Sequence, residues 1–299
     1  MSISKLTTIV IVTYKGIITK KTLKSLSKKF KIIIVENSDD KKFKKNIERK
    51  FDNTKVILTG QNLGFAKANN IGLKKVKSTY SLILNPDVVM TAAQLIKLEK
   101  ISKKIFFGIL TCNCNELINT IFSYRNKFER FPVSKNFFYN NNKKQNFCEV
   151  PYIPGWCMFI KTQDLKKVNY FDPNFFLYFE DRDLSKKIKL LKKKLLMVKN
   201  INIFHKFGEN SRVLEKKEME KSWHIRFWHF YWSSFYYYRK HFGFLISIRI
   251  HLTKFLRFNY LRLYYWILGN NNLSLLNNYK ANGIWSQFIK RKAKPVPNI

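Results

Sequence analysis

Tyr80-Ser81-Leu82-Ile83-Leu84-Asn85-Pro86-Asp87 is the stretch on which the reading of the chain turns. An apolar run of strand length stops at a turn-forming pair and an acid. Short apolar runs of this kind suit strands buried on both faces, the usual state of strands in a parallel sheet. Folding does not require a carboxylate at the end of such a run. A hard divalent cation bridging a diphosphate would use one. Asn-Pro-Asp is also ordinary turn composition, so the flanking sequence has to decide.

Working outward, further strand candidates lie at residues 7–12, 31–35 and 55–58. Helix-compatible basic stretches near 19–29, 41–51 and 66–75 separate them. Strand–helix alternation at this period predicts a doubly wound, mostly parallel α/β sheet flanked by helices. Such sheets take ligands at the carboxyl ends of their strands. Attention therefore falls on Thr13-Tyr14, Glu36-Asn37, residues 60–70 and Asn85–Asp87.

Each place has a functional and an ordinary reading. Glu36 can accept hydrogen bonds from a ribose or base imino group, or it is a turn acid. Asn62-Leu63-Gly64-Phe65-Ala66-Lys67 offers a backbone that tolerates close approach, a helix N-terminus and a cation for phosphate. It is equally an ordinary strand–helix turn. Further on, Phe171-Asp172-Pro173-Asn174-Phe175-Phe176-Leu177-Tyr178-Phe179-Glu180-Asp181-Arg182-Asp183-Leu184 runs from aromatics straight into three acids. Acids suit a helix N-terminus, while a dry aromatic wall can tune a general base. Glu180 and Asp181 stand about 100° apart on a helix and face different things. A helix is expected from about 180 to 191, followed by strands near 194–198 and 201–205. His205 closes the second of these; a lone histidine is more often structural than a ligand.

Lysine and arginine number 57 against 19 acids, a net charge of +38. That excess suits a polyanion: nucleic acid, phosphorylated substrate or anionic membrane. AT-rich coding would also enrich lysine. The best-defined motifs are acidic and fall in an expected cleft, which disfavours a nucleic-acid-binding module. Beyond Glu220 there is no Asp or Glu, yet there are 13 Lys and Arg and five of the six tryptophans. Basic residues with interfacial aromatics fit amphipathic helices on an anionic membrane face. Trp228, Tyr231, Trp232 and Phe235 form one helical stripe there, which equally suits a packed core. No run of 18 uncharged apolar residues occurs, so no transmembrane helix is expected. The N-terminal apolar run reads as a first strand rather than a signal peptide. Cys112, Cys114, Cys148 and Cys157 lack zinc-site spacing and read as reduced structural thiols of a cytoplasmic protein.

Taken in order, IVIVTYKG, IIIVENSDD, NLGFAKANNIG, LILNPDV, Gly155-x-x-Met158, FDPNFFLYFEDRDL and HKFGENS resemble family 2 glycosyltransferases, especially their rhamnosyltransferase-like branch. The resemblance runs from Thr8 to about Ser211. It implies a GT-A fold in residues 1–211, with residues 212–299 as a C-terminal helical, aromatic and basic extension. It implies inverting transfer from a nucleotide-sugar donor, such as dTDP-rhamnose, to a saccharide or lipid-linked acceptor in surface polysaccharide assembly. Thr13, Tyr14, Glu36, Asn62 and Lys67 would hold the donor nucleotide. Asp87 and His205 would hold Mg²⁺ or Mn²⁺. Asp181 would be the base, supported by Glu180 and Asp183, and Trp156 would meet the acceptor. Asn85 stands where many members carry an acid, which lowers the negative charge for a metal. Glu36 replaces the more usual aspartate. The competing expectations are an inactive scaffold of this fold and a nucleic-acid binder. Oligomeric state is not legible.

Overall fold

A computed structural model of the chain describes residues 3–114, 146–205 and 216–294. Residues 140–145, an Asn-rich stretch whose composition predicts a loop, and residues 206–211 of the HKFGENS motif lie outside the described residues.

The described residues divide into two compact units. The first comprises residues 1–62, 68–171 and 181–210. It opens with β1 (Ser4–Thr13), α1 (Lys20–Leu26), β2 (Phe30–Glu36), α2 (Lys41–Lys50), β3 (Thr54–Leu58), α3 (Phe65–Leu73) and β4 (Tyr80–Leu84). After it come β5 (Val88–Val89), α4 (Ala92–Ser102), β6 (Ile109–Cys114), β7 (Phe147–Glu149), β8 (Cys157–Lys161), α5 (Thr162–Lys167), α6 (Glu180–Leu190) and β9 (Leu195–His205). Strand order is β3-β2-β1-β4-β8-β6-β9-β5, with β7 also on β9.

The first four strands are parallel, as expected from their helical crossovers. Their apolar runs are covered on both faces: Ile9, Val10, Ile11, Leu82, Ile83 and Leu84 are all buried. Each such side chain contributes about 1.5–3 kcal/mol by leaving water. Beyond β4 the sheet is mixed, because β8 runs antiparallel to both β4 and β6. The two strands expected near 194–198 and 201–205 are one strand, β9. Lys199 and Asn200 read as a break, but the chain stays extended and only the register shifts: Cys112 faces Val198, and Asn113 faces Asn202. The end of β9 pairs with β5, setting Val88 opposite His205. All four cysteines are buried free thiols.

The second unit comprises residues 63–67, 172–180 and 211–299. The two short segments join the C-terminal helices rather than the sheet, so the unit is less simple than a cut at 211 implies. Its helices are α7 (Lys216–Phe242), α8 (Phe244–Ile267) and α9 (Asn271–Phe288). Phe235, Phe258, Ala281 and Ile284 form its core, with Tyr231 and Phe255 packed against them. Gly283 lets α9 approach α7 closely: a Cβ there would lie 2.5 Å from the Trp228 carbonyl oxygen. The stripe of Trp228, Trp232 and Phe235 is therefore interior: of its two readings, packed core and membrane face, it takes the first. A periodic stripe shows that one face is apolar, not what covers it.

Candidate active site

The end of β1 and the end of β2 are neighbours in register, Thr13 beside Glu36. Glu36 is fully buried. Its carboxylate accepts from Thr13 Oγ1 at 2.7 Å, Lys15 N at 2.9 Å, Gly16 N at 3.0 Å and Ser38 Oγ. Two oxygens accept about four bonds, so the chain itself uses what a nucleoside would need. Glu36 thus clamps the β1–α1 loop instead of presenting a bare carboxylate. The clamp holds Lys15 at φ 54°, a left-handed conformation that costs a non-glycine residue about 1–3 kcal/mol. The same loop leaves the Tyr14 ring exposed. Asn37 Nδ2 donates to Asn62 Oδ1 at 2.9 Å and fixes Asn62 at the end of the next strand.

Asn85–Asp87 forms a turn, closed by Val88 N donating to Asn85 O. It is anchored on one side by Thr19 N to Pro86 O at 2.7 Å, and on the other by Asn85 N to Trp156 O at 2.9 Å. Asp87 Oδ1 lies 3.0 Å from His205 Nε2, with both residues buried. The β5–β9 pairing creates this contact across 118 residues of chain. The Trp156 ring lies 5.1 Å from the His205 ring. Trp156, placed from sequence at an acceptor site, therefore also walls the Asp87–His205 pair.

No group of three His, Cys, Asp or Glu able to hold a metal occurs among the described residues. Asp87 and His205 supply two donors. Asn85 Oδ1, buried and without a hydrogen-bond partner, offers a third of the type hard cations prefer. That donor set fits Mg²⁺ or Mn²⁺ if the substrate completes the shell.

Asp181 lies in the first turn of α6. Its Oδ2 accepts from Gly155 N at 3.0 Å, and its Oδ1 from Arg182 N at 2.8 Å. Burial raises its pKa; the Arg182 charge and these backbone bonds offset the rise only in part. Arg182 is engaged over the Tyr152 ring at 4.4 Å. Asp183 is fully buried, with Lys187 3.9 Å away, and is set in the α6 base rather than in an open cleft. Gly155-Trp156 is the connector that sequence reasoning underrated. Gly155 N holds Asp181, Trp156 O holds Asn85, and the indole lies against His205. Its only signal was the Gly155-x-x-Met158 pattern.

Within the second unit, Glu180 ends a segment of unusual backbone. Tyr178 and Phe179 both have left-handed φ, 68° and 65°. Phe230 packs edge-on against both rings, Tyr237 packs against Phe179, and Ser233 Oγ donates to Leu177 O at 2.8 Å. Asp172 accepts from Lys240 Nζ and Tyr236 Oη. Burial raises the Asp172 pKa, but these donors and the Asn174 amide outweigh it and leave it low. Gly64, at φ 80°, passes so close to Phe176 that a Cβ would lie 2.5 Å from its carbonyl oxygen. Phe65 N donates to that same oxygen. Lys67 is exposed and lines a basic cavity with residues of α7 and the end of α9.

Acids and a histidine thus stand at the carboxyl ends of a half-parallel sheet, with a partly desolvated carboxylate tied to them through one dipeptide. The chain belongs to glycosyl transferase family 2, whose family model matches residues 8–169. Among individual proteins it is similar to rhamnosyltransferase WbbL of Escherichia coli (strain K12), 27% identical over 230 residues, covering 69% of this chain and 84% of that protein. The fold matches GalNAc-T7, solved with UDP, GalNAc and Mn²⁺, at a TM-score of 0.57 and 13% identity. That match covers 95% of this chain but only 56% of GalNAc-T7, so the chain spans little more than half of that protein. Mannosyltransferase PcManGT of Pyrobaculum calidifontis, in complex with GDP-Man and Mn²⁺, matches at 0.54 and 12% identity, over 92% and 86% of the two chains.

Proposed function

We propose that this enzyme transfers a sugar, L-rhamnose from dTDP-rhamnose, to a saccharide or lipid-linked saccharide with inversion at the anomeric carbon. The observation that carries the reading is the tie from Asp181 through Gly155-Trp156 to Asn85, Asp87 and His205. It couples a candidate base to a candidate diphosphate end through rigid backbone. The rhamnosyl choice follows the curated relative. The nucleotides and Mn²⁺ bound in the fold relatives guide the choice of probes.

In this reading Asp181 accepts the proton of an acceptor hydroxyl as its oxygen attacks the anomeric carbon. The bond to the diphosphate oxygen breaks on the opposite face, so one base and in-line attack invert the centre, as in single-displacement glycoside chemistry. A divalent ion on Asp87, His205 and Asn85 Oδ1 would supply positive charge for the leaving diphosphate. Thr13, Tyr14 and Asn62 would receive the nucleoside, with Glu36 acting through the loop it clamps. Lys67 would be an anion contact, Trp156 an acceptor-side wall, and Glu180 and Asp183 supports of the base. A thermal-shift screen of dTDP-, UDP- and GDP-sugars, each with and without Mn²⁺, tests the reading. A Mn²⁺-dependent rise in Tm for dTDP-rhamnose is expected, since a ligand of the folded state stabilises it by mass action. No shift with any donor would sink it.

Membrane contact has its own support on α8. Leu245, Leu252, Leu256, Tyr260, Leu263, Trp266 and Ile267 are exposed, Leu245 at 80% and Trp266 at 64%. At 100° per residue they fall within an arc of about 120°. Arg249 is exposed within that arc, and Arg257 and Arg262 flank it. No helix among the described residues is long and apolar enough to cross a membrane. A second copy would bring one acid-free, basic surface against another, whereas an anionic bilayer neutralises it. The enzyme would then work at the cytoplasmic face of the membrane.

A further inference from the structure

The second unit contains a cavity of about 320 Å³ that the sugar-transfer reading leaves largely unused. Lys67, Arg239, Lys290, Arg291 and Lys292 line it, and no acidic side chain does so among the described residues. This is not a loose tail of charges. Lys290 sits at φ 59° just past α9, where glycine is usual. The turn is closed by Lys290 N to Gln287 O and Arg291 N to Ser286 O. Trp232 Nε1 then donates to Arg291 O at 2.9 Å, and Arg239 Nη1 to Gln287 O at 3.3 Å. Strained backbone and these donors thus fix Arg239 and the 290–291 turn at a space that Lys67 and Lys292 also line, and like charges gathered there favour an anion.

A second observation narrows the ligand. Gln287 also lines the cavity; it is 2% exposed, and its Oε1 has no hydrogen-bond partner. A buried amide oxygen without a donor is costly. An anion of acceptor oxygens alone would leave it unsatisfied. A ligand bearing both phosphate and a hydroxyl satisfies the cations and the amide together. Trp232 and Tyr236, rings 5.4 Å apart, add apolar wall for a sugar ring. The volume is that of a small-ligand site.

We propose that this cavity binds a phosphorylated saccharide, the phosphate held by Arg239, Lys290 and Lys292 and a sugar hydroxyl donating to Gln287 Oε1. The site extends the proposed anion role of Lys67, and its residues are otherwise separate from Asp87, His205 and Asp181. Calorimetric titration of the full chain at physiological salt tests it, with glucose 1-phosphate, inorganic phosphate and glucose as probes. Glucose 1-phosphate should bind about tenfold or more tightly than either other probe, because only it joins phosphate contacts to a sugar ring packed on Trp232 and Tyr236. Arg239→Gln should weaken it about tenfold. Lys290→Gln/Lys292→Gln, which alters only exposed side chains, should do likewise if Arg239→Gln fails to fold. Asp87→Asn should leave it unchanged.

Equal affinity in wild type and the lysine pair would overturn the proposal. So would a loss in Asp87→Asn as large as in Arg239→Gln, which would place the probe at the Asp87–His205 pair. Either failure would leave the donor-dependent Tm rise intact, so the two readings fail separately. Phosphatidylcholine vesicles carrying a polyprenyl phosphate distinguish the source of the ligand. Capture that glucose 1-phosphate competes away supports the site with a lipid-borne phosphate. Absence of capture, with glucose 1-phosphate still binding, supports it with a soluble one.

Discussion

The two units handle charge in opposite ways. In the sheet unit acids are consumed locally: Glu36 by four donors, Asp164 by Lys193, Glu99 by Ser4 and Thr7. In the helical unit the balance is inverted. Its core is aromatic, its α8 face is apolar and exposed, and a set of cations lines one cavity. In the proposed reading, the contrast separates a surface for chemistry on one bond from surfaces that hold whatever carries that bond.

The sharpest way to break the comparison is at Asp181. Asp181→Asn should lower turnover about 10³-fold, while the donor-induced Tm rise persists. Because burial raises the Asp181 pKa, the ionised base is lost as pH falls through a value above the ordinary 3.9 or so for aspartate. The acid limb of the rate profile should lie there and vanish in the variant. A variant with near-normal turnover would show that the base is elsewhere.

The helical unit carries a titration of the opposite sign. Burial pushes the His251 pKa down to about 4, with a Ser247 carbonyl contact opposing and the Lys254 charge assisting. His251 Nε2 and Ser234 Oγ are 2.9 Å apart, and Nδ1 is 2.8 Å from Ser247 O. The buried ring is neutral, and protonation favours the unfolded chain. Its stabilising effect is complete above pH 6.5 or so and is lost towards pH 4, about 3 kcal/mol in all. Urea titrations across that range should show the loss, and His251→Leu should be less stable but flatter with pH. An unchanged slope in the variant would reassign the effect.

The smallest change in stability is expected on α8. Leu252→Ser/Leu256→Ser should alter unfolding free energy by no more than about 0.5 kcal/mol per site, since both side chains are exposed. Capture by phosphatidylglycerol vesicles at low salt should nevertheless fall several-fold, with little capture by phosphatidylcholine in either protein. Undiminished capture would mean that another surface meets the lipid.

Much of the sheet unit was legible because parallel strands announce themselves. Their apolar runs need no partner to be recognised, and the strand-end rule then pointed to Thr13, Glu36 and Asp87. The acids after the aromatic run were legible for the same local reason. What was not legible is pairing at long range. The Asp87–His205 contact depends on β5 meeting the end of β9, and β9 looked like two strands. The four donors on Glu36 come partly from backbone amides, which no side-chain motif encodes. The stripe on α7 was legible as a stripe but not as interior, because its covering helices follow it in sequence. Nor could composition show that residues 63–67 and 172–180 belong with those helices.

The left-handed pair Tyr178-Phe179 has a consequence for how this sequence can drift. The turn into the helix of the candidate base is upheld by Phe230, Ser233 and Tyr237, residues encoded far downstream. Selection acting on the turn therefore acts on α7 as well. A smaller ring at Phe179 leaves a gap that only a change at Phe230 or Tyr237 can refill. Descendants of this chain should exchange such residues in matched sets, so that the C-terminal helices record the ancestry of that turn even where their surfaces have diverged.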